Sequence, residues 1–98
     1  MFLERCTVSR KTPLDGKLEI SKEAGQRLSS LDSPLMLELE GTREPGMLAT
    51  MHCNCRGVQN PHEHHFVESE LLKMLATGAE VDLNLDMREG ILCITAAG

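Results

Sequence analysis

Apolar and polar side chains alternate through most of this chain, the period of strands that bury one face. The alternation marks residues 2–9, 16–20, 34–40, 47–55, 80–86 and 90–96 as strands. Two segments switch to a helical period. In 21–31, Ser21 is placed to cap the first turn, Glu23 follows it, and Ala24, Leu28 and Leu31 fall on one face. In 66–77, Val67, Leu71, Met74 and Leu75 form the inward stripe and Gly78 marks the stop. Turns are expected at Pro13 to Gly16 and at two Arg-Glu segments closed by Gly46 and Gly90.

The pattern occurs twice. Leu37 and Leu39 correspond to Leu83 and Leu85, Arg43-Glu44 to Arg88-Glu89, and Gly46 to Gly90. Backward along the chain, Ile20, Leu28 and Leu35 correspond to Phe66, Met74 and Val81. An internal repeat of about 5–51 and 52–97 follows, each copy contributing strand, strand, helix and hairpin. The expected fold is α+β, mostly β: one domain over 1–98, with two tandem units forming a small barrel-like body carrying two short helices.

Composition narrows the function. Phe2 and Phe66 are the only residues among Phe, Tyr and Trp, which nearly excludes the stacking platforms of single-strand nucleic-acid binders. A formal charge of −5 opposes sequence-blind attraction to nucleic acid or anionic membranes, although basic residues gather in the first third. No apolar run is long enough to span a bilayer, and the start Met-Phe-Leu-Glu-Arg lacks the basic opening of a signal peptide, which implies a cytoplasmic protein with no membrane partner. In a reducing compartment, the four cysteines read as thiols or ligands rather than bridges. Cys6 and Cys93, each alone in an apolar segment, are expected to be buried thiols.

Candidate chemistry is concentrated in 52–65, which holds Cys53, Cys55 and all four histidines. Two thiolates and two imidazoles around a short loop suit tetrahedral zinc. Cys53 and Cys55 share one side of a strand. Beyond Asn60-Pro61, His62 and His64 share a face if the segment is extended, as the repeat alignment favours for 64–66, whereas His62 and His65 do if Pro61 opens a helix, as the Asn60-Pro61 start favours. The preferred ligand set is Cys53, Cys55, His62 and His65, with His64 the nearest substitute. A closed shell would staple the loop structurally. The alternative is a small zinc-dependent hydrolase or deaminase-like enzyme with an open metal position and Glu63 as base, although the order of His-x-Glu and Cys pair differs from the deaminase signature. No other catalytic residue is singled out, and the Cys pair beside histidine also admits a redox-sensing thiol.

The run from Arg10 through Asp15-Gly16-Lys17 to Leu28, followed by the alternating hairpin, resembles the swapped-hairpin unit of AbrB-like and MraZ-like transcription factors over about residues 5–51. Lys17 stands where that family usually has arginine, and Ser21 where it has a helix-opening proline. The resemblance implies a regulator that contacts DNA through Arg10, Lys11 and Lys17, or a protein partner, and that can form a homodimer.

Overall fold

The computed structural model describes residues 1–31, 34–53 and 62–97. Their order is β1 (Phe2–Thr7), α1 (Lys11–Asp15), β2 (Lys17–Ile20), α2 (Lys22–Ser29), β3 (Met36–Leu39), β4 (Thr42–Pro45), β5 (Met47–Cys53), β6 (His62–Glu68), a 3₁₀ helix (Glu70–Met74), β7 (Glu80–Asp86) and β8 (Ile91–Ala96). The fold is α+β and mostly strand, in two sheets. One sheet runs β1-β7-β8-β3-β4 and the other β2-β6-β5, and neither closes into a barrel among the described residues.

Local sequence explains most elements. In β7, Val81, Leu83 and Leu85 are buried while Glu80 and Asp86 are exposed, the clean alternation of a strand with one face on the core. Its neighbour β8 lies at the centre of the five-stranded sheet, so Ile91 and Leu92 are buried consecutively. Helix α2 starts where Ser21 accepts the Ala24 N–H at 3.1 Å and buries Ala24 and Leu28. Between β3 and β4, Glu40 and Gly41 both take positive φ (51° and 82°), the backbone of a two-residue hairpin turn.

The two halves of the chain interleave. β1 pairs with β7, β2 with β6, and β3 runs parallel to β8, with Leu37 opposite Leu92 and Leu39 opposite Ile94. One apolar cluster joins both sheets through Leu18, Val67, Leu72, Leu83 and Leu92.

The structure departs from the sequence reading in three elements. The expected turn at Pro13 to Gly16 is the end of α1, where Gly16 (φ 69°) donates its N–H to the Thr12 carbonyl at 2.9 Å. The Thr42 to Pro45 segment, expected as turn, pairs with β3 as β4. The expected helix over 66–77 is β6 up to Glu68 and then a 3₁₀ helix, because β6 is the middle strand of its sheet and hydrogen-bonds on both sides. Phe66 and Val67 themselves favour strands, and pairing on both sides of β6 prevails over the helical spacing of the apolar residues. Gly78 (φ 89°) turns the chain toward β7, donating to the Val8 carbonyl at 2.8 Å, instead of ending that helix. Among the described residues, no helix is long and apolar enough to cross a membrane.

Candidate metal centre at the hairpin end

The β5–β6 pairing runs from Met47 opposite Glu68 to Cys53 opposite His62, with Met51 opposite His64 and Thr50 opposite His65. Cys53 and His62 are therefore direct cross-strand partners at the far end of the hairpin, where backbones lie roughly 4.5–5.5 Å apart. Cys55 lies outside the described residues, as does the Asn60-Pro61 turn. The helical premise that joined His62 to His65 does not hold, since 62–68 is extended.

Alternation along β6 sends its remaining histidines to opposite faces. His64, half-buried, places Nδ1 2.9 Å from Glu19 Oε2 on β2 and its ring 6.3 Å from that of Phe66. His65 faces α2, where its Nδ1 lies 3.2 Å from Thr50 Oγ1 and its Nε2 3.7 Å from Glu63 Oε2. Glu63 also lies 3.5 Å from His52 Nδ1, so Thr50, His52, Glu63 and His65 form one polar group on the α2 side. Between this group and α2 lies a cleft of about 190 Å³ lined by Ile20, Gly25, Leu48 and His65 among others. Among the described residues, no three Cys, His, Asp or Glu side chains gather as a ready ligand cluster.

Glu19 and Thr50 were not legible as neighbours of the histidines. Glu19 reaches His64 only because β2 docks on β6 with Ile20 opposite His65, a pairing between distant segments. The Thr50 contact could have been found once β5 and β6 were aligned as a hairpin.

The basic residues border α1. Arg10 precedes it and is exposed; Lys11 opens it and holds Nζ 5.4 Å from the Phe66 ring centre; Lys17 follows it, with Nζ 3.5 Å from Glu68 Oε1.

The other two cysteines stand apart from the hairpin. Cys6 is buried and donates to Glu4 Oε2 at 3.2 Å; burial, then the Glu4 hydrogen bond and charge, push its thiol up to about 12. Cys93, expected buried, is half-buried on β8 and 3.5 Å from Glu38 Oε2, and its thiol is also pushed up, first by desolvation. Neither is a poised nucleophile, because the thiolate is the reactive form.

Comparison with family models, curated proteins and solved structures finds no match to this chain.

Proposed function

We propose that the chain is a small zinc-binding module in which the β5–β6 hairpin end holds one ion, and that its role is binding or regulation rather than catalysis. The observation that carries this reading is the hairpin register, which makes Cys53 and His62 cross-strand partners in the segment where the sequence concentrates its cysteines and histidines. With 62–68 extended, the fourth ligand of a shell begun by Cys53, Cys55 and His62 is His64. The Glu19 contact supports this choice: a carboxylate on Nδ1 is the usual means of orienting a ligating imidazole, which would then coordinate through Nε2. His65 is engaged on the α2 side of the strand.

The same alternation argues against a metalloenzyme. Glu63, the candidate base, lies on the His65 side with its carboxylate directed to His52 and His65, across the strand from His64. A closed shell of four protein ligands also leaves no position for a reacting water.

Zinc content by native mass spectrometry, with melting before and after chelation, tests the reading. One zinc per chain and a lowered melting temperature after chelation are expected. Glu19→Gln should weaken zinc affinity roughly 10-fold, as for other orienting groups. His64→Ala should weaken it more, and His65→Ala should leave it unchanged. An affinity unchanged in His64→Ala would remove His64 from the shell.

The partner reading is a transcription-regulator-like contact with DNA. It is supported by the placement of Arg10, Lys11 and Lys17 around one turn of helix. Salt-dependent binding to duplex DNA, lost in Arg10→Ala/Lys17→Ala, is the expected result. Binding unaltered in that variant would exclude this surface as the contact.

A further inference from the structure

Sheet edges expose unpaired N–H and C=O groups, and proteins protect them with short strands, charges, proline or bulges. Three of the edge strands here are protected. β1 carries Glu4 and Arg5 and a register shift between Phe2 and Glu4. β2 is four residues long and carries Lys17 and Glu19. β4 is four residues long and carries Arg43, Glu44 and Pro45.

The fourth edge has no such device. β5 is seven residues long, Met-Leu-Ala-Thr-Met-His-Cys, without proline, lysine, arginine, aspartate or glutamate. Its outward edge has no strand partner among the described residues. On the face turned from α2, Met47 and Met51 are 68% and 45% exposed.

We propose that the β5 edge is an interaction surface for a second copy of this chain, joined antiparallel so that two three-stranded sheets become one of six strands. The residue pattern of β5 selects a copy of the same chain as occupant, and its lack of charge and its length make it the edge at which two copies can meet. Met47, Ala49 and Met51 alternate large, small, large, so pairing about a two-fold axis at Ala49 sets each Met47 beside the Met51 of the other copy and covers apolar surface that is otherwise wet. Each copy carries a formal charge of −5, and a strand without acidic residues is where like-charged molecules can approach closely. Length also favours it, since β5 offers more ladder than the four-residue edges β2 and β4.

The surface adjoins the proposed metal site at Met51, the cross-strand partner of His64, so the test is made on the full chain with chelator and again with zinc. Sedimentation over a concentration series should show a monomer–dimer equilibrium in both conditions, and Met47→Lys/Met51→Lys should be monomeric throughout with an unchanged far-ultraviolet circular dichroism spectrum. Hydrogen exchange on the unsubstituted protein provides a readout independent of the variant's folding: outward amides of Met47–Cys53 should be protected at high concentration and lose protection on dilution. A monomer at every concentration would overturn the proposal. So would a dimer indifferent to the lysines, a dimer seen only with zinc, or β5 protection that does not change on dilution.

Discussion

Thr12 is fully buried, and its hydroxyl donates to the Lys17 carbonyl at 2.7 Å, bridging the start of α1 to the start of β2. A buried acceptor left without its donor costs about 1–3 kcal/mol. Thr12→Val preserves shape and removes only the hydroxyl, so urea denaturation should show a loss of about 1–2 kcal/mol with an unchanged m value. Cys6 yields a prediction with a definite sign. Its thiol titrates near 9 in an unfolded chain and about 12 in the folded one, so the folded state binds the proton more tightly. The stabilisation is complete below about pH 9 and is lost as pH rises toward 12. Melting temperatures measured across that window should fall, and should fall less steeply in Cys6→Ala. A parallel decline in the two proteins would mean that Cys6 is not held as described.

At the scale of elements, α1 and its junction with the 3₁₀ helix depend on one glycine. Gly16 has φ 69°, and a Cβ built there would lie 2.5 Å from the Ser69 carbonyl oxygen. Gly41 also has positive φ, yet nothing lies within 4 Å of its Cβ position. Gly41→Ala should therefore cost only the left-handed backbone penalty of about 1–2 kcal/mol. Gly16→Ala should cost more, because the Ser69 N–H bond to the Gly16 carbonyl at 2.9 Å must shift as well. Equal losses in equilibrium unfolding would show that the two segments are not packed this closely. Elements with local signals were readable in the sequence: Ser21 with Ala24 and Leu28 gave α2, and the alternation of 80–86 gave β7. β6 was readable only at 64–66, through the repeat alignment, because Phe66 and Val67 are buried on opposite faces of a central strand and present no alternation. β4 was hidden because Arg43, Glu44 and Pro45 carry the composition of a turn while serving as a protected edge.

For the whole molecule, the two halves exchange strand partners, so the repeat visible as Leu37 with Leu83 and Leu39 with Leu85 becomes adjacent packing rather than two separate units. β3 and β7 both flank β8 in the five-stranded sheet. Such pairing between distant segments leaves no local trace, which is why the two sheets and the Glu19 to His64 contact emerged only with the fold. The proposed metal ligands rest on the crowding of cysteine and histidine in the sequence, and the extended 62–68 segment moves that proposal from His65 to His64. The proposed function rests on one ion bound by thiolates and imidazoles at the β5–β6 hairpin end. Zinc K-edge X-ray absorption on the purified protein tests this most directly. The account predicts a four-coordinate shell of two sulfurs at about 2.3 Å and two nitrogens at about 2.0 Å. A shell of oxygen and nitrogen alone, or a sulfur count unchanged in Cys53→Ser/Cys55→Ser, would contradict it.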